Sequence, residues 1–148
     1  MQHLYDLAES LDVRIEYADL THLDRDGDCS IDSRTIRLQP GMLYRLERSV
    51  LAHELAHMIR GDRRTILGHY DDKDERRADE WAAHFLIDIN SYSAAESRFG
   101  TNTEAIAQEL EVMDWIVEAY ERTMQRIGND VYFNAKMGVG QWALKVTA

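Results

Sequence analysis

Two imidazoles and a carboxylate stand in the order His53-Glu54-x-x-His57, within the run Leu51-Ala52-His53-Glu54-Leu55-Ala56-His57-Met58-Ile59. On an α-helix, residues four apart share one face, a turn apart, so both rings can reach a single ion. Glu54 follows the first histidine directly and lies beside that ion rather than on it. A general base must stand there to take a proton from a water held by the metal. H-E-x-x-H on a helix is a zinc-hydrolase signature. Val50, Leu51, Leu55, Met58 and Ile59 make this helix apolar enough for a core, where two histidines and a glutamate without partners would carry a desolvation cost. The spacing therefore predicts hydrolysis at Zn2+, with His53 and His57 as metal ligands and Glu54 as catalytic base. Three protein ligands would leave a fourth position for water, whose pKa falls there to about 7.

A third ligand is needed. The extended pattern H-E-x-x-H-x-x-G-x-x-H fails, because Arg60 stands in place of the glycine and Arg63 in place of the last histidine. A carboxylate from a following helix is the other solution. Glu75-Arg76-Arg77-Ala78-Asp79 opens such a helix, and its two acids, four apart, share a face. Glu75 is assigned as the ligand. Asp79 is assigned to accept the remaining ring N–H of a zinc-bound histidine, His53 by preference, which fixes its tautomer. The reverse assignment fits the same spacing. Ala78 and Ala82 lie alongside and allow the two helices to approach closely. His69 and Tyr70, in the intervening loop, can rim the cleft and donate to an oxyanion, and His69 could also reach a metal. His84, nine residues past Glu75, points about 180° away and is expected to be a core or surface histidine. His3 and His22 carry no usable signal.

The elements that must hold these groups follow from periodicity. Leu4, Leu7 and Leu11 predict a short amino-terminal helix, and the alternation in Val13–Tyr17 predicts a strand. Asp24, Asp26 and Asp28 mimic the start of an EF-hand loop. Cys29 stands where the loop needs glycine and Thr35 where it needs a bidentate glutamate, so calcium is rejected and Asp26-Gly27 is read as a hairpin turn. Two further strands, around Cys29–Ile31 and Ile36–Leu38, flank an Asp32-Ser33-Arg34 turn, with Pro40 ending the second. The strand Thr35 to Leu38 is read as the one that could pair with an extended substrate. The motif helix is expected from about Met42 to Arg60, stopped by Gly61, and the next from an aspartate cap near Asp74 to about Asp88. Ala78, Trp81, Ala82, Phe85 and Ile89 make the apolar face of that second helix. Ser91–Phe99 reads as a helix ending at Gly100. Thr101-Asn102-Thr103-Glu104 has capping-box spacing and opens a short helix over Ile106 and Leu110, followed by a longer one through Trp115, Ile116, Tyr120 and Ile127. In the tail, Trp142, Leu144 and Val146 alternate as an edge strand would, and Gly138 and Gly140 suggest a flexible approach to it. The fold class expected is α+β, a small antiparallel sheet packed against helices with a helical C-terminal half, all in one domain spanning 1–148.

Composition narrows the function. A length of 148 residues with 45% apolar content suits one ordinary domain with a real core. The one cysteine, Cys29, suits a reducing compartment. No basic segment followed by an apolar run opens the chain, and Trp81–Ile87, the most apolar stretch, is short and broken by His84. A cytoplasmic protein is expected. The formal charge of −10 argues against a nucleic-acid binder and toward a basic protein partner. The segment 101–128 resembles a helix-turn-helix in outline, but its six acidic residues against two basic ones favour a helical hairpin that closes the core.

With Val50-Leu51-Ala52-His53-Glu54-Leu55-Ala56-His57 followed by Glu75-Arg76-Arg77-Ala78-Asp79-Glu80-Trp81-Ala82-Ala83-His84-Phe85-Leu86-Ile87, the chain resembles the ImmA/IrrE metallopeptidase family. That resemblance covers about Val13 to Ile87, and more loosely reaches Ile127. It rests on H-E-x-x-H followed by E-x-x-A-[ND]-x-[FW]-A-A. It implies a zincin-like domain, zinc on His53, His57 and Glu75, and Glu54 as the catalytic residue. It also implies cytoplasmic cleavage of DNA-binding repressors, often by proteins of phages or mobile elements. Where the family commonly continues Leu-Met-Pro, this chain has Ile87-Asp88-Ile89, and the family's separate sensory domain is not expected within these residues. The competing expectation is a non-catalytic zinc protein that sequesters a basic DNA-binding partner. A third is hydrolysis of a non-peptide amide.

Overall fold

The computed structural model describes residues 1–127, 130–134 and 143–147, with side chains as far as Met124. Helix α1 (Gln2–Ser10) buries Leu4 and Ala8, as the leucine spacing requires. Three short strands follow: β1 (Arg14–Tyr17), β2 (Gly27–Ser30) and β3 (Thr35–Leu38). Their order is β1-β3-β2, with β1 parallel and β2 antiparallel to β3. The sheet is therefore mixed, not antiparallel.

The link between β1 and β2 explains the order. Ala18 N–H donates to the Leu38 carbonyl at 3.0 Å, and Leu20 N–H to Gln39 Oε1 at 2.6 Å. Leu20 is fully buried ahead of a 3-10 turn at Thr21–Leu23, and Asp24 then reverses the chain in the left-handed region at φ 53°. The chain so crosses the C-terminal end of β3 and returns on its far side. Two expectations change as a result. Asp26-Gly27 is not a hairpin turn, since Gly27 opens β2. The strand Thr35–Leu38 is central, with both edges paired, so it has none to offer a substrate.

Helix α2 (Tyr44–Arg60) lays Leu51 and Leu55 into the same core as Ile36 and Leu38. Helix α3 (Asp72–Leu86) is capped by Asp71, whose carboxylate accepts from Asp74 N–H at 2.8 Å. Ala52 and Ala56 of α2 and Ala78, Ala82 and Ala83 of α3 are all fully buried, and methyl side chains are what let two helix backbones approach closely. The expected α3 face is narrower than its sequence suggests: Phe85 is exposed, stacked on Trp81 at 5.1 Å, and Ile89 belongs to the next helix.

Helices α4 (Ile89–Phe99), α5 (Thr103–Glu109) and α6 (Asp114–Thr123) close the other side. Asp88 caps α4 through Ser91 N–H, which starts it two residues early, and Asn102 rather than Thr101 caps α5 through Ala105 N–H. Arg48 of α2 donates to the carbonyls of Leu86, Leu110 and Glu111, tying the ends of α3 and α5 to the motif helix. Helix α6 stops at Thr123 instead of continuing to Ile127, because Met124–Ile127 is strand β4, paired antiparallel with β5 (Asp130–Asn134). The pairing partner is supplied by later sequence and is invisible to a local pattern. Strand β6 (Ala143–Thr147) adds to β5, in the order β4-β5-β6, so Leu144 and Val146 lie in an edge strand. Trp142, Gly138 and Gly140 lie outside the described residues. No described helix is long and apolar enough to cross a membrane.

Candidate metal centre

Helix α2 presents His53 and His57 one turn apart, and α3 brings Glu75 to meet them. Three ligand atoms converge. His53 Nε2 lies 3.0 Å from His57 Nε2, and Glu75 Oε2 lies 3.1 Å from the first and 3.8 Å from the second. Two Nε2 lone pairs aimed at one point beside a carboxylate oxygen make a natural cation site. Tetrahedral zinc with bonds of about 2.0–2.1 Å holds its ligand atoms about 3.3 Å apart, so the observed spacing fits. Among the described residues His53, His57 and Glu75 form a group able to hold a metal ion.

Each imidazole is held from behind. His53 Nδ1 faces Asp79 Oδ1 at 2.8 Å, on the opposite side of the ring from Glu75. In this arrangement Glu75 points at the converging nitrogens and Asp79 does not. His57 Nδ1 faces Asp62 Oδ2 at 3.0 Å, a partner the sequence reading missed. Its position follows from how α2 ends. Gly61 adopts φ 70°, Gly61 N–H returns to the Met58 carbonyl and Asp62 N–H to the His57 carbonyl at 3.1 Å, the two bonds of a Schellman turn. The turn folds Asp62 back under the histidine, and Arg60 Nε steadies the carboxylate at 3.2 Å. An acid directly after a helix-stopping glycine was the available signal. Asp62→Ala is expected to weaken metal binding about 10–100-fold, with Asp62→Asn closer to wild type because its amide oxygen still accepts. Competition against a chelator of known affinity measures both.

Tyr70 was expected at the cleft rim. It is instead buried, its ring stacked on His57 at 3.7 Å and 11°, with its hydroxyl 3.0 Å from Cys29 Sγ. It lines the cleft as a wall that orients His57. His69 also lines the cleft but is exposed, with Nδ1 against the Tyr70 carbonyl at 3.0 Å. The opposite wall is Trp115 from α6, edge-on to His53 at 5.8 Å, which the sequence reading placed only in a helix face. His84 faces away, as expected, with Nε2 2.7 Å from Thr123 Oγ1.

Glu54 is buried, and its Oε2 finds no hydrogen-bond partner among the described residues. Burial pushes its carboxyl pKa up, against the pull of the two neighbouring imidazoles. Burial alone would push His53 down, but its hydrogen bonds to Asp79 and Glu75 outweigh this and bring it up to about 10. The same bonds from His53 and His57 hold Glu75 well below the usual carboxylate range. Burial, with Glu54 alongside, pushes the Cys29 thiol up to about 12.

Gly27 leaves room chiefly for Val50 and, less tightly, for Glu54 beside it. A Cβ there would stand 2.5 Å from Val50 Cγ1 and 3.3 Å from Glu54 Cγ. Gly27→Ala is expected to cost about 1–3 kcal/mol by overpacking, read from the urea midpoint, and to displace the carboxylate. The cleft has a volume of about 340 Å³ and is lined by His53, Glu54 and Glu75 on one side and by Asp26, Gly27 and Trp115 around them.

The family model Peptidase_M78, described as the IrrE N-terminal-like domain, matches residues 8–117. No curated protein matches the chain.

Proposed function

The chain belongs to the IrrE N-terminal-like peptidase family, a metallopeptidase family, and we propose that it is a zinc-dependent peptidase acting on a DNA-binding repressor. The observation that carries the reading is buried Glu54, a residue of the cleft lining whose Oε2 has no hydrogen-bond partner among the described residues, set beside three converging ligand atoms. A metal site that only held the fold would have no use for a desolvated carboxylate beside it, and structural zinc is usually closed by four protein ligands.

His53, His57 and Glu75 would hold the zinc, with Asp79 and Asp62 fixing the imidazoles. When bound, zinc polarises the scissile carbonyl and acidifies water. Glu54 takes the proton of the attacking water and passes it to the leaving amine. Its burial raises its basicity above that of a solvated carboxylate, which suits both halves of that transfer. Among the described residues strand β2 has β3 on one side only, and its first residue, with Asp26 before it, lines the cleft. An extended substrate is therefore placed by strand addition on β2.

A net charge of −10 favours a basic partner, as a repressor's DNA-binding surface would be. Incubation with a candidate repressor should yield a discrete fragment that a chelator suppresses, and association should weaken as salt rises. Tight, salt-sensitive binding without any fragment would favour sequestration over cleavage.

A further inference from the structure

We propose that Arg25 and Arg64 form a carboxylate-binding subsite in the cleft, so that the preferred substrate carries an acidic group close to the bond that is cut. The inference rests on the peptidase reading above. Both arginines line the same cavity as His53, Glu54 and Glu75. Arg25 comes from the link before β2, and Arg64 from the loop between α2 and α3. Their guanidinium groups converge on one acceptor, the carbonyl of Gly68: Arg25 donates through Nη2, and Arg64 through Nη1 at 3.4 Å. Gly68, at φ 82°, closes a tight turn through its N–H to the Thr65 carbonyl at 2.9 Å. Arg64 also lies over the ring of Tyr70, 4.8 Å from its centre, and that ring stacks on His57. The subsite is thus one aromatic ring away from a metal ligand.

Two guanidinium groups on one carbonyl repel each other, and a single oxygen satisfies few of their ten N–H groups (five on each side chain). Arg37, Arg60 and Arg63 pair with Asp28, Asp62 and Asp32, while Arg34 and Arg48, like Arg25 and Arg64, donate to backbone carbonyls; what sets Arg25 and Arg64 apart is that two guanidinium groups share one carbonyl in the lining of the cleft. Neither Arg25 nor Arg64 has a carboxylate within ion-pair distance among the described residues, although the chain holds 27 acidic residues against 17 basic ones. Leaving two adjacent cations unneutralised at the mouth of the cleft fits an incoming carboxylate, which binds guanidinium groups through paired, charge-assisted hydrogen bonds. Of the cleft's own acids, Glu75 and Asp79 are engaged with His53, Glu54 is buried, and Asp26, though next to Arg25 in the chain, forms no ion pair with either arginine. The overall negative charge does not oppose this, because exposed charges are screened beyond about 8–10 Å at physiological salt.

The carboxylate can be an internal Asp or Glu side chain or the free end of a peptide. A pool of decapeptides covering all residue types, with free or amidated C-termini, separates them when incubated with the zinc-loaded protein and read by mass spectrometry. Bonds near Asp or Glu should be cut about tenfold or more in preference to neutral ones, the return expected of a charge-assisted bond. If the chain end is the anchor, products instead come only from free C-termini. Arg25→Gln with Arg64→Gln should erase the preference, and the double lysine variant, as a folding control, should keep part of it. The same pool captured on zinc-loaded Glu54→Gln reads selection without turnover. Acidic capture with no cleavage by wild type would sink the peptidase reading and leave the subsite standing. Cleavage or capture without acidic preference, no capture at all, or a preference unchanged in the glutamine variant would overturn the subsite.

Discussion

Glu54→Gln is expected to abolish hydrolysis and to leave metal binding intact. The substitution keeps the volume and shape of the side chain while removing its ability to take a proton. A general base of this kind contributes about 10²–10⁴-fold in rate, and loss within or beyond that range is expected. The fold should tolerate the change. Glu54 is buried, with one oxygen lacking any hydrogen bond among the described residues, so a neutral amide costs no more to bury than the carboxylate it replaces. Zinc content, measured on the purified protein, should match wild type, because His53 Nε2, His57 Nε2 and Glu75 Oε2 converge without Glu54. A variant that kept its zinc and still cut at the wild-type rate would end the proposed mechanism. A variant that lost its zinc would show that Glu54 is a ligand and not the base.

Glu75→Ala and Asp79→Asn should separate by orders of magnitude, though both remove a carboxylate from the same face of α3. Glu75 contributes one of three protein ligand atoms in the proposed site. Four-ligand zinc sites bind with about 10–16 kcal/mol, so losing one ligand should weaken binding on the order of 10²–10³-fold or more. Activity should fall with it at limiting metal. Asp79 sits behind His53, at Nδ1, and holds the ring's orientation and tautomer. Its amide retains an acceptor, so the loss should lie at or below the 10–100-fold usual for such supporting partners. Chelator competition on the two proteins decides the matter. The opposite order would mean that Asp79 is the ligand and that α3 rotates when metal enters.

Most of the chemistry was legible locally because a helix converts spacing into direction. A spacing of four positions from His53 to His57, and of four from Glu75 to Asp79, places each pair on a single face before any tertiary contact is known. The stop at Gly61 and the cap at the start of α3 were readable for the same reason, since helix ends must satisfy their own backbone groups. Ala78 and Ala82 of α3 likewise announced a close helix pair, whose other half, Ala52 and Ala56 of α2, only the structure supplied. Where the reading went wrong, the missing information was a partner distant in sequence. Residues Met124–Ile127 continue a helical pattern, and pairing with β5 makes them a strand.

Strand order and the surroundings of each ring belonged to the tertiary structure alone. Alternation tells which residues face the core, but β1 beside β3 and β2 on the outside depend on how the link through Leu20 and Asp24 crosses the sheet. That crossing moved the available edge from β3 to β2 and turned Gly27 from an expected turn residue into the gap that leaves room for Val50 and Glu54. The stacking of Tyr70 on His57 and the reach of Arg25 to the Gly68 carbonyl, 43 residues along the chain, join segments that no local pattern connects. Intrinsic backbone preference and side-chain periodicity reach only a few residues along the chain. The type of chemistry could therefore be read from H-E-x-x-H and the acids after it, whereas selectivity and basicity come from desolvation and contact, which exist only once the chain has folded.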